Sequence, residues 1–137
     1  MDPATYLQFL DALPPERRDV IDRVWQHIRQ HVAPGYSEQA DGKFLTFKTG
    51  DKWYVALTNQ KSYISLYLMP MYAHPELKLL FDESGKKPKM GKSCINFLKA
   101  DELPLAVIGQ IVGTYPANTY PETIGQIRQD HKAGRDA

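Results

Sequence analysis

Three stretches of the chain carry side chains whose types and spacing could ligate a metal, hold an anion or attack a substrate. Glu16, Asp19 and Asp22 recur every third residue. On a helix they would form a carboxylate ridge, which is a weak site for hard cations or iron. Arg17, Arg18 and Arg23 interleave with them, and paired surface charge is the simpler reading. His27 and His31 stand four residues apart. A helix would bring both rings to one face, where they could hold a metal once one or two further ligands joined. Glu38, Asp41 or a residue from a distant segment would have to complete such a site. The competing reading makes both histidines exposed polar positions.

The loop Gly85 to Ser93, GKKPKMGKS, looks like a phosphate-binding loop but fails on spacing, with five residues between its glycines where that motif has four. It fails on context too, because a helix is expected before it and a strand after it. Its four lysines make it either a solvated loop or an anion contact through Lys92, with Lys61 as a second cation. Cys94 follows at mid-strand with no base nearby in sequence. There is no Gly-x-Ser-x-Gly or His-Glu-x-x-His run, so no catalytic residue is named and an enzyme reading has no mechanism attached.

The elements that must position these groups are readable from periodicity. Asp2-Pro3 supplies a cap and a first helical residue, and Tyr6, Phe9, Leu10 and Leu13 then share a face. Pro14-Pro15 interrupts that helix. A second follows, with Val20, Ile21, Val24, Trp25, Ile28 and Val32 at helical spacing, ended by Pro34-Gly35. The period then changes to two. Asp41-Gly42 and Gly50-Asp51 read as hairpin turns within residues 36–58, and Asn59-Gln60-Lys61 as a third turn. Trp53, Val55 and Leu57 alternate with Tyr54, Ala56 and Thr58. Ile64, Leu66 and Leu68 alternate with Tyr63, Ser65, Tyr67 and Met69. Connections this short join antiparallel neighbours. A short helix is expected from Pro75 to Phe81, a strand from Ser93 to Leu98, and a helix carrying Leu105, Ile108, Ile111, Val112 and Tyr115. The expectation is an α+β fold with about five antiparallel strands backed by N- and C-terminal helices. Residues 1–118 form one domain in this reading, and 119–137 a helical extension with a fraying end.

Composition narrows the function. Hydrophobic residues are 42% and charged residues 24%, as in an ordinary globular domain able to bury a core without cross-links. One cysteine, the absence of a basic and apolar leader, and no long apolar run point to a cytoplasmic protein with no membrane segment. A net charge of +1 disfavours a nucleic-acid partner and an acidic metal store, so a charged site must be local. One sheet face is aliphatic and suited to the helices. The other is aromatic and partly polar, and its candidate lining is Trp53, Lys61, Tyr63, Tyr67 and Lys92.

Four segments carry a family resemblance. They are Tyr6 to Arg18, Lys61-Ser62-Tyr63-Ile64-Ser65-Leu66-Tyr67, Lys92-Ser93-Cys94-Ile95-Asn96-Phe97, and Leu103 to Val112. In type and order they resemble the YdhG-like domain of unknown function, found in small bacterial proteins, over roughly residues 2 to 115. The resemblance implies a twisted antiparallel sheet backed by helices, compared in some members to frataxin. One branch is described as an intracellular iron chaperone, which makes iron the cofactor implied by analogy. The chain departs from the family at Ala40-Asp41-Gly42-Lys43-Phe44, where only the glycine of the usual hairpin is kept. It departs again at Asn96, where the usual residue is arginine.

These readings lead to a non-enzymatic binding protein for a small anionic ligand or metabolite on the aromatic face. An iron-handling protein using Glu16, Asp19, Asp22, His27 or His31 is the alternative by family analogy. A protein–protein adaptor working through Tyr120 to His131 is another, and self-association into a homodimer is compatible with the sequence.

Overall fold

The computed structural model describes residues 1–86, 88–91 and 94–120. Helix α1 (Pro3–Asp11) begins where Asp2 accepts a hydrogen bond from the Ala4 amide at 2.8 Å, with Pro3 at the first helical position. Helix α2 (Pro15–His31) buries Ile21, Val24, Trp25 and Ile28, the centre of the expected stripe. Strands β1 (Ser37–Asp41), β2 (Phe44–Thr49), β3 (Lys52–Asn59) and β4 (Ile64–Leu68) follow, with tight turns at Gly42 and Gly50. Helix α3 (Met69–Ala73), a 3-10 turn at Pro75–Leu77 and helix α4 (Lys78–Ser84) lead to β5 (Lys89–Met90) and β6 (Cys94–Phe97). A 3-10 turn at Ala100–Glu102 and helix α5 (Leu105–Val112) are the last elements that lie wholly among the described residues.

Among the described residues the sheet has six strands in the order β1-β2-β3-β4-β6-β5, and every pairing is antiparallel. That is one strand more than expected. The addition, β5, is two residues long and falls in the stretch read from sequence as a polar loop. The helix over Met69–Ala73 was also not expected, because its residues continue the apolar run of β4.

Register assigns the two faces. Leu45, Phe47, Val55, Leu57, Ile64, Leu66, Leu68, Ile95 and Phe97 share one face, and all are core residues. The helices contribute Tyr6, Leu10, Ile21, Val24, Trp25, Ile28, Met71, Phe81, Ile108, Ile111 and Val112 to the same core. Trp25 stacks on Phe47 with ring centroids 4.9 Å apart. Its indole N–H donates to Glu38 at 2.7 Å, and Arg29 binds the same carboxylate oxygen at 2.8 and 2.6 Å. This ties α2 to the first strand.

Strict alternation would put Trp53 with Val55 and Tyr54 on the opposite face. The register between β2 and β3 shifts after Phe47, so that Phe47 pairs with Val55 and Lys48 with Trp53. Tyr54 is the extra residue of a bulge. It turns into the core, stacks on Tyr36 at 4.0 Å and donates to the Val112 carbonyl at 2.7 Å. Trp53 is left on the other face. Tyr120, assigned from sequence to the extension, is buried against Tyr36 and Tyr54. The rest of that extension, residues 121–137, lies outside the described residues.

Candidate ligand site on the open sheet face

The face away from the helices is built in rows. Asp41, Phe44, Thr58, Ser65, Asn96 and Lys89 align across β1, β2, β3, β4, β6 and β5. Gln39, Thr46, Ala56, Tyr67 and Cys94 form the next row, and Lys48 and Trp53 the one beyond. Phe44, Trp53 and Tyr67 are half-buried and converge as a cluster. Phe44 lies 4.9 Å from Trp53 and 6.2 Å from Tyr67, and Trp53 lies 6.5 Å from Tyr67, all with tilted rings. Such tilted pairs suit the ring quadrupoles. The small side chains between the large rings, Thr46, Ala56, Thr58 and Ser65, are buried. Lys48, opposite Trp53, is paired with Asp41 at 2.6 Å and is only 14% exposed. Its stem therefore lies along the sheet.

The polar half of the face is joined by hydrogen bonds. Thr58 donates to the Lys43 carbonyl at 2.8 Å. Ser65 donates to Asn96 Oδ1 at 2.8 Å, and the Cys94 thiol donates to the same oxygen at 3.3 Å. Burial raises the Tyr67 phenol above its ordinary pKa; neighbouring Cys94 adds to this and a hydrogen bond with Gln60 opposes it. At the strand ends this half opens into a cleft of about 560 Å³, lined by Ser62, Tyr63, Lys86, Lys89, Asn96 and Glu102 among others.

The structure divides the candidate lining. Trp53 and Tyr67 meet in one cluster, and Tyr63, 40% exposed, stands at the cleft. Lys61 lines a different hollow, beside Phe9, Leu13 and Lys43. Lys92 lies outside the described residues. Sequence reasoning missed three contributors. Phe44 could have been found because it shares a face with Thr46, two residues on, and alternates with Leu45 and Phe47. Lys89 and Asn96 could not, because only the pairing of β5 with β6 makes them neighbours.

The metal candidates are dispersed. Glu16 and Asp19 are exposed, whereas Asp22 turns to α1 and accepts from the Tyr6 hydroxyl at 2.7 Å. The His27 and His31 rings lie 4.3 Å apart, and a methyl on Gly109 of α5 would stand 3.0 Å from His27 Nε2 and from His31. The pair thus packs on a helix that only a glycine lets approach. His27 Nε2 is buried without a hydrogen bond among the described residues, so this histidine is not the exposed polar position of the simpler reading. Glu38 is occupied by Trp25 and Arg29, and Asp41 by Lys48. Among the described residues no group of three His, Cys, Asp or Glu side chains is placed to hold a metal ion. No helix among them is long and apolar enough to cross a membrane.

The architecture is therefore a one-sided α+β protein, with helices on one face of an antiparallel sheet and an aromatic, partly polar second face. It is similar to the crystal structure of a DUF1801-family protein, YdhG from Bacillus subtilis, with a TM-score of 0.63 over 81% of this chain and 87% of that one. Sequence identity over the match is 9%, so the likeness is one of fold. No protein-family model matches the chain, and no curated protein matches it in sequence.

Proposed function

We propose that this is a non-enzymatic binding protein of the YdhG-like group that holds a small anionic ligand on the open face of its sheet. The observation behind this is the half-exposed cluster of Phe44, Trp53 and Tyr67 on the face the helices leave free. Stacking a flat or apolar group on such a platform is worth about 1–3 kcal/mol. A charge-assisted hydrogen bond adds about 1.5–3 kcal/mol. Together these contributions are about 2.5–6 kcal/mol before the cost of association, which points to weak binding, no tighter than tens of micromolar, suited to an abundant metabolite. The iron reading draws no support from Asp22, bonded to Tyr6, or from His27, packed on α5.

Tryptophan fluorescence tests the reading directly. Trp25 is buried in the core, so Trp53 is the tryptophan that a ligand on the open face would touch. A panel of anionic metabolites should include compounds that change the emission saturably, and Trp53→Phe should abolish the change. No response from any anion, or an undiminished response in the variant, would count against the proposal.

A further inference from the structure

We infer that the cleft beside Asn96 takes the carboxylate of an elongated monoanion whose apolar end lies over Phe44, Trp53 and Tyr67. This deepens the binding reading above and rests on it. Asn96 is the key residue. Its Oδ1 accepts from both Ser65 and Cys94, so the amide oxygen is turned toward the strands. The amide Nδ2 group forms no hydrogen bond among the described residues, and Asn96 lines the cleft. It is an oriented pair of donors whose position is set by two neighbouring side chains.

The surrounding charges select the kind of anion. Lys89 is exposed and is the cross-strand partner of Asn96. Lys86 is fixed at the cleft by donating to the Asp101 carbonyl at 2.7 Å. Glu102 lines the same cleft, and the backbone amides of Leu98 and Lys99 donate to its carboxylate at 2.7 and 2.6 Å. Those bonds hold its carboxyl below the usual range, so it stays ionised at neutral pH. Among the described residues of the cleft, two lysines against one carboxylate leave one positive charge, which matches a single negative charge. A phosphate dianion would bring an unmatched charge toward Glu102.

The sheet sets the length. Asn96 on β6 lies one strand spacing and one row from Tyr67, about 8 Å, and two spacings and two rows from Trp53, about 16 Å. The ligand class is therefore an aryl- or alkyl-chain carboxylate long enough to lay its apolar end over the rings, about 8–16 Å from the acid. A compact anion would reach the cleft or the platform, but not both.

The probes are 10-phenyldecanoate, its neutral amide and the corresponding alkyl phosphate, titrated against the full chain. Trp53 emission reads the platform and the NMR shifts of the 94–97 amides read the cleft. Wild type should bind the carboxylate about tenfold more tightly than the neutral amide. Asn96→Asp should erase that preference, and exposed Lys89→Ala should reduce it severalfold without endangering the fold. Equal affinity for both probes, with Trp53 responding to each, would overturn the carboxylate cleft and leave the open-face reading intact. Silence of Trp53 toward every probe would overturn both. Tighter binding of the phosphate would overturn the choice of a monoanion.

Discussion

Trp53 and Tyr54 are adjacent and both aromatic, yet the bulge sends them to opposite faces, so truncating each should have unequal consequences. Tyr54 has 0% exposure, stacks 4.0 Å from Tyr36 and gives its hydroxyl to Val112 at 2.7 Å. Removing a fully buried ring costs about 3–5 kcal/mol. Tyr54→Ala should therefore lose that much, and Tyr54→Phe, which deletes only the hydroxyl bond to the end of α5, about 1–2 kcal/mol. Trp53 is half-buried and loses two tilted ring contacts, each worth about 0.5–1.5 kcal/mol. Trp53→Ala should cost about 1–3 kcal/mol, less than the Tyr54→Ala loss. For a domain of this size 1 kcal/mol moves the melting temperature by about 3–5 °C. Urea unfolding followed by circular dichroism, with thermal melts beside it, separates the two variants. A Trp53→Ala loss equal to or larger than that of Tyr54→Ala would refute the bulge and restore strict alternation, with Trp53 in the core. The open-face site would fall with it, because its reporter and largest ring would be elsewhere.

Two further outcomes follow from local geometry. Gly35 sits at φ 97°, and a methyl there would stand 2.8 Å from the Ala117 side chain. Gly35→Ala should lose about 2–4 kcal/mol in urea unfolding, from backbone strain and overpacking together. Adding Ala117→Gly should recover only the packing share; full recovery, or no initial loss, would contradict the geometry. Glu102 has its pKa lowered by the backbone N–H groups of Lys99 and Leu98. Its stabilising contribution is complete above the ordinary carboxylate pKa and is lost as pH falls through the lower folded value. Wild type should therefore lose stability on acidification in that range more steeply than Glu102→Gln, and parallel pH profiles for the two would show that the capping bonds do not act.

Much of this fold can be read along the chain because its signals are local. Asp2-Pro3 starts α1, and the Val20-to-Ile28 stripe faces the sheet through Trp25 and Phe47. Asp41-Gly42 turns the first hairpin, and Ile64, Leu66 and Leu68 mark the core face of β4. What escapes a linear reading depends on partners distant in sequence. The bulge is a mismatch between β2 and β3, and no residue within β3 announces it. Likewise β5 exists only because β6 pairs with it. The site divides the same way. Tyr67 and Tyr63 follow from alternation, and Trp53 needs the bulge. Lys61 sits in a hollow beside α1 because the turn carrying it faces that helix. Asn96 looks from sequence like a lost arginine, whereas in the fold it is a held amide at the cleft.

The place of β5 in the sheet bears on how the cleft would respond in time. Lys89 rides on a two-residue edge strand that, among the described residues, pairs with β6 alone. Short, singly paired strands open at low free energy, well before the sheet beneath them. The aromatic platform on β2, β3 and β4 is the opposite, set among central, doubly paired strands. One end of the proposed site thus lies among doubly paired strands and the other is held by a latch of two residues. An anion at Asn96 and Lys89 would close that latch. Occupancy should then register most strongly as slowed amide exchange at the sheet edge, even where the platform beneath the ligand shows no change in structure.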